Sequence, residues 1–213
     1  MTAGCVSTDF EVETLAKSDI NQVSEIHIDQ TLILLKSLTR KLYKMNSQEL
    51  AKSPGATIES QIATIFQCPP LPPGPVLDQK KGTDAILMAF EPQFPGDRVH
   101  AVMYGLFTML HTAYNEKCDL YMFDFLNAQN LYNSARNIEI LVWRLKTRYR
   151  PDGSLYLATN ICDGPVRNLS FERLFGKLIS LQDTMALIAS GRGDRIVKEA
   201  VHMAGMAFFP VGI

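Results

Sequence analysis

The thiol of Cys5 is the group in this chain whose chemistry its neighbours best define. Thr2-Ala3-Gly4 places small side chains before Cys5, and a polar stretch, Ser7-Thr8-Asp9, follows almost at once. Small residues let a peptidase approach the backbone, and the freed cysteine can then take a diacylglyceryl group. This spacing predicts lipid attachment at Cys5. Two signals are needed for stable anchoring, because a single acyl chain binds a bilayer only marginally. The reading expects a basic start and an apolar run encoded before Thr2. The alternative is a start methionine ahead of a cytosolic tail.

A second group of side chains lies in the C-terminal half. Asn127, Asn130, Asn133 and Asn137 form an amide strip, with Arg136 and Glu139 one turn apart; Glu172, Gln182 and Asp183 fall on a later helix. Asn is a poor interior helix former, so a helix that keeps several uses their hydrogen bonds. Two readings follow. Asn133, Arg136, Asn137, Glu172, Gln182 and Asp183 line a polar pocket between helices 127–149 and 169–190 that binds a small ligand or serves an enzyme. Otherwise they form a buried polar network that sets helix register.

No residue is assigned a catalytic role, and no cofactor or metal is expected. His100 and His111 share a helix face but stand eleven residues apart, roughly 16 Å along the axis, too far to hold one metal. No Glu-x-x-His pair suggests a di-iron bundle. His27 and His202 are scattered, and all four histidines read as structural. No Gly-x-Ser-x-Gly elbow, Walker loop or dinucleotide fingerprint is present. Beyond Cys5 the cysteines are Cys68, Cys118 and Cys162, with no CxxC spacing. They allow one bridge at most. Cys118 and Cys162 both fall in connecting segments and could pair, or all three are free thiols.

The 213 residues carry a net charge of −1 and no dominant basic patch, which argues against nucleic acid as a partner. A globule of this length buries roughly 70% of its unfolded surface and needs no staples. The apolar stretch Met203–Ile213 is interrupted by Pro210 and too short to span a bilayer.

The elements that must position these groups read as helices throughout. Residues 1–17 are expected to be a tether, flexible from Val6 to Lys17, and residues 18–213 one helical domain. Ser18 caps a long helix to about Lys44, with Leu34, Leu38, Leu42 and Met45 inward and Ile26, Ile33 and Leu35 widening the stripe. Short helices follow from Asn46-Ser47 and from Thr57. The run from Cys68-Pro69-Pro70 to Pro75 forbids helix and favours an extended connector or a docking ligand. A helix over about Thr83–Phe90 precedes a stronger one opened by Gly96-Asp97. Asp119–Asp124 is a short strand or connector. From Asn127, Ala128, Leu131, Ala135, Ile138, Val142, Leu145 and Tyr149 alternate steps of three and four, as in helices packed nearly parallel. Phe171, Leu174, Phe175, Leu178, Leu181, Met185 and Ile188 line the next helix, to about Ser190. Gly191-Arg192-Gly193 turns into a last helix, Asp194 to about Phe208. The expected fold is all-α, a single-domain bundle of about five long and three short helices with an irregular Pro-rich connector.

Asn133-Ser134-Ala135-Arg136-Asn137, Asn168-Leu169-Ser170-Phe171-Glu172-Arg173-Leu174-Phe175-Gly176-Lys177 and Leu181-Gln182-Asp183-Thr184-Met185 resemble a family of uncharacterised proteobacterial lipoproteins, from about Lys17 to the C-terminus. The resemblance implies a lipid-anchored place in the cell envelope of a Gram-negative bacterium, facing the periplasm, and no catalytic residues. The expected role is a non-enzymatic binding or scaffold domain. Its partners would be the membrane, through acylated Cys5, and an envelope protein or small apolar ligand. A cytoplasmic interaction protein is the alternative.

Overall fold

A computed structural model describes residues 9–118, 126–160, 169–190 and 208–211; side chains of the first helix are described from Val23 on, Ser24 excepted. The helices are α1 (Asp9–Met45), α2 (Ser47–Leu50), α3 (Ile58–Ile65), α4 (Gly82–Met88), α5 (Arg98–Ala113), α6 (Ala128–Thr147) and α7 (Ser170–Ser190). The chain is all-α: no strand occurs among the described residues, and a single antiparallel bridge joins Tyr149 to Leu155 there. That bridge closes the Pro151-Asp152-Gly153 turn, where Gly153 takes φ 81°, a conformation that costs a side-chain-bearing residue.

The core is built around α5. Val99, Ala101, Val102, Met103, Leu106, Met109, Leu110 and Ala113 are buried, so the helix is apolar on nearly every side and is covered on nearly every side. It packs most closely on α4, and Gly105 is the reason. A Cβ there would stand 2.6 Å from the Gly82 carbonyl oxygen and 2.9 Å from the Ile86 amide nitrogen, so any larger residue would force the two backbones apart. Thr108 bridges the same contact. Its hydroxyl accepts from the Gly82 amide at 2.8 Å and donates to the Tyr104 carbonyl at 2.8 Å. α6 and α7 form the other close pair, and α1 touches α3, α5 and α7.

Local signals set the helix starts. Thr57 and Ser60 form a reciprocal capping box on α3. Asp97 caps α5 by accepting from the His100 amide at 2.9 Å. Asn127 caps α6 by accepting from the amides of Gln129 and Asn130.

Several expectations are corrected. α1 begins at Asp9, so residues 9–17 are helix rather than flexible tether. Glu11 and Glu13 suit a helix start, and Leu15, Ala16 and Lys17 are strong helix formers. Ile26 and Ile33 do not widen the core stripe, because each is 53% exposed. At 100° per residue, Ile33 lies roughly 140° round the helix from Leu38 and 180° from Leu42, which are both buried. Ile188 and Tyr149 are likewise exposed, at 40% and 57%. Tyr149 falls beyond the end of α6, in the bridged turn. The segment Asp119–Asp124, the turn at Gly191 and the last expected helix lie outside the described residues, except Phe208, which is not helical. No described helix is long and apolar enough to cross a membrane.

Candidate functional site

The six polar residues expected to line a pocket between α6 and α7 are placed at four separate positions. Asn133 donates to the Pro210 carbonyl at 2.8 Å and accepts from Gln129 Nε2 at 2.8 Å. Asn137, fully buried, donates to the Phe209 carbonyl at 2.8 Å and accepts from the Phe209 amide at 2.6 Å. Both amides therefore hold the C-terminal segment 208–211 as a backbone neighbour would. Arg136 reaches Asp183 at 2.8 Å and Glu139 at 3.1 Å, and it lies over the Tyr132 ring. Glu172 accepts from Lys146 at 2.8 Å and Asn160 at 2.7 Å. Burial works to raise its pKa, but those two donors outweigh it and hold the carboxyl below its ordinary range. Gln182 is fully buried and faces α5, where its Oε1 accepts from the Tyr114 hydroxyl at 2.7 Å. The cavity lined by Val142, Leu145, Phe171, Glu172 and Phe175 is about 10 Å³, too small for a ligand. These groups are chiefly engaged with one another and with the chain's own end.

A larger concavity lies at the N-terminal end of α5. A cleft of about 370 Å³ is bounded by α3, the Pro-rich connector and the Phe94-Pro95-Gly96 corner. Val76, Leu77, Phe94 and Pro95 supply its apolar wall; Lys52, Gln61, Thr64, Asp97 and His100 supply polar groups. Lys52 joins the cleft to a charge cluster beside it. Glu49, with a fully buried carboxylate, accepts from Lys52 Nζ at 2.7 Å and from the Arg98 amide at 2.8 Å, with Arg150 at 3.4 Å. Lys52 also donates to the Gly96 carbonyl at 2.9 Å, which pins the corner. Arg98 is itself buried, and its guanidinium donates to the carbonyls of Ala89, Glu91 and Phe94, so it caps the last turn of α4 and the corner together.

Two titrating groups in the cleft are shifted. Burial raises the Asp97 pKa, against the hydrogen bonds it accepts from the His100 amide and, at 2.7 Å, from the Tyr43 hydroxyl. Burial lowers that of His100, which keeps the ring neutral; its Nδ1 is 3.0 Å from Gln61 Oε1 and its plane stacks on Tyr104. An apolar wall with a few oriented polar groups is the composition of a small-molecule site. Both Asp97 oxygens and His100 Nδ1 are already bonded within the protein.

Cys118 bonds to Cys68, not to Cys162, which lies outside the described residues. The bond ties the start of the Pro-rich connector to the turn that follows α5, with Cα atoms 5.7 Å apart. The Tyr104 hydroxyl fixes the same connector by donating to the Leu71 carbonyl at 2.8 Å. His111 lies beside the bond, its Nε2 4.0 Å from Cys118 Sγ. His27 is buried, with Nε2 2.7 Å from the Tyr114 hydroxyl. His202 and Cys5 lie outside the described residues.

No family model, curated protein or solved structure matches the chain. The site therefore rests on its own geometry. Sequence reasoning named His100 and the Asp97 helix start but missed the cleft. Lys52, Gln61, Val76 and Phe94 are far apart in sequence, and no local spacing announces that they line one cleft.

Proposed function

We propose that this chain is a membrane-tethered, non-enzymatic binding domain of a Gram-negative cell envelope, anchored through acylated Cys5 and facing the periplasm, its helices forming one bundle. The cleft at the head of α5 is its ligand site. The observation that carries the binding reading is that cleft: about 370 Å³, walled by Phe94, Val76 and Leu77, with Lys52, Gln61 and His100 at its polar side. The ligand class is a small, largely apolar molecule with one polar end.

Two observations support the address. Thr2-Ala3-Gly4-Cys5 has the residue types of a lipid-attachment site. The Cys68–Cys118 bond suits an oxidising compartment, where disulfides form and persist. The arrangement of Asn133, Arg136, Asn137, Glu172, Gln182 and Asp183 favours a structural role for that strip, since they bond within the chain.

Thr64 and Gln61 both line the cleft from α3, and Thr64 is exposed. Protein purified from its native host should release a small molecule on denaturation, in about equal molar amount. Thr64→Trp, which fills the cleft from its rim, should fold normally and release at least about tenfold less. Equal release from both proteins, or none from a well-folded wild type, would reject the cleft as the site.

A further inference from the structure

We propose that Cys68, Cys118 and His111 form a redox-gated zinc site: the reduced chain takes up one Zn²⁺ through two thiolates and one imidazole, and the disulfide shuts the site. This goes beyond the binding role, and it concerns a different face of α5.

The geometry is specific. Cys68 Sγ, Cys118 Sγ and His111 Nε2 all lie within 4.8 Å of one another. Zinc–sulfur bonds of about 2.3 Å and zinc–nitrogen bonds of about 2.0 Å, set tetrahedrally, place ligand atoms about 3.6–3.8 Å apart. The Cys118–His111 separation of 4.0 Å is already near that value. With the two cysteine Cα atoms 5.7 Å apart, both sulfurs can reach one ion once the bond between them opens. Cys68 is exposed, so its side chain has room to turn.

The three ligands come from separate, fixed pieces of backbone. His111 stands on the last turn of α5. Cys118 follows a tight turn in which Asn115 and Glu116 both take positive φ. Cys68 opens the Pro-rich connector. Two thiolates on Zn²⁺ give a neutral centre, which suits the adjoining cavity, mostly apolar and walled by Ile28, Leu32, Phe66 and Leu110. That cavity is about 60 Å³. A water occupies about 30 Å³, so a fourth, exchangeable ligand fits. Two sulfurs and one nitrogen form a borderline-soft donor set, which suits zinc better than magnesium or calcium.

The redox step balances. Thiol–disulfide exchange with a dithiol passes two electrons and two protons to the Cys68–Cys118 bond and leaves the dithiol as its cyclic disulfide. Zn²⁺ then displaces the two thiol protons into solvent, and His111 binds through a neutral nitrogen lone pair. Exchange with an oxidising disulfide reverses this: it takes two electrons from the thiolates and two protons from solvent, leaves as a dithiol, and the joined sulfurs release the ion.

The test uses the full chain, reduced with a dithiol and freed of it by anaerobic gel filtration. Titration with Zn²⁺ should show one equivalent bound by the reduced protein and none by the oxidised protein. Co²⁺ should give a thiolate charge-transfer band and the visible spectrum of a tetrahedral centre. His111→Ala should keep the disulfide when oxidised and weaken zinc binding by at least about tenfold when reduced, since even losing a partner of a ligand costs 10- to 100-fold. A folded, reduced chain that binds no zinc would overturn the proposal. So would unchanged affinity in His111→Ala, or equal binding by the oxidised chain. If reduction alone unfolds the protein, one equivalent of Zn²⁺ should restore its helical circular dichroism; failure to do so would also overturn it. The cleft ligand is assayed on oxidised protein, so the two proposals fail separately.

Discussion

His27 shows how a single side chain ties stability to pH in this molecule. It lies on the inward stripe of α1, is 6% exposed, and meets Tyr114 edge-on with a hydrogen bond of 2.7 Å. Tyr114 passes its own proton toward Gln182, so a three-residue chain joins α1, α5 and α7. Burial lowers the His27 pKa to about 4. The unfolded chain takes up this proton near pH 6.5, the folded chain only near pH 4, so between those values protons favour unfolding. Stability from this group is intact above about pH 6.5, falls as pH drops toward about 4, and is level below that. The difference is about 3 kcal/mol. Denaturant midpoints compared between wild type and His27→Gln isolate it, because His100 and His111 shift in the same sense and Asp97 in the opposite one. The prediction is that wild type loses about 3 kcal/mol more than the variant between pH 6.5 and 4; parallel curves would contradict it. Steps of three and four run back from Leu38 and Leu34 through Thr31 to His27, so its place on the buried stripe follows from periodicity. Its partner was not, because Tyr114 stands 87 residues away.

At the scale of elements, α6 holds the segment 208–211 against itself. Asn137 makes a paired hydrogen bond with the Phe209 backbone, and Asn133 holds Pro210. Pro210 has no N–H to offer, so its carbonyl is the only backbone group there available to Asn133. Asn137→Ala removes both bonds at a buried position and leaves the Phe209 backbone unpaired. It should cost about 2 kcal/mol and raise the exchange rate of the Phe209 amide by at least about tenfold. Unchanged exchange at Phe209 would show that other contacts hold the segment. The amide strip itself stood out in the sequence, since repeated Asn in a helix calls for hydrogen-bond partners. That the partner is the C-terminal backbone was not legible, because helix periodicity carries no information on which segment packs alongside. The same limit explains Ile26 and Ile33: their type fits a core, while their angle on α1 turns them to the surface.

The whole molecule divides its two proposed tasks between its parts. The helices supply a core around α5, a cleft at its head and a cysteine–histidine cluster at its tail. The proposed anchor is Cys5. The all-α class was readable from steps of three and four along α1, α5, α6 and α7 and from capping residues such as Thr57, Asp97 and Asn127. The Cys68–Cys118 pair was not readable, because four cysteines without short spacing leave connectivity open and only the path of the connector brings these two together. The stretch expected to be flexible is helical from Asp9 for a local reason, the helix-forming residues between Asp9 and Lys17.

No described helix is long and apolar enough to span a bilayer, and the proposed role makes the hold on the membrane depend on Cys5. Mass spectrometry of the N-terminal peptide, from full-length protein expressed with its own upstream sequence in a Gram-negative host, tests that dependence directly. Cys5 is predicted to be the first residue of the mature chain and to carry a diacylglyceryl group. A bare Cys5 thiol, with Thr2-Ala3-Gly4 still attached and the protein in the soluble fraction, would contradict the account.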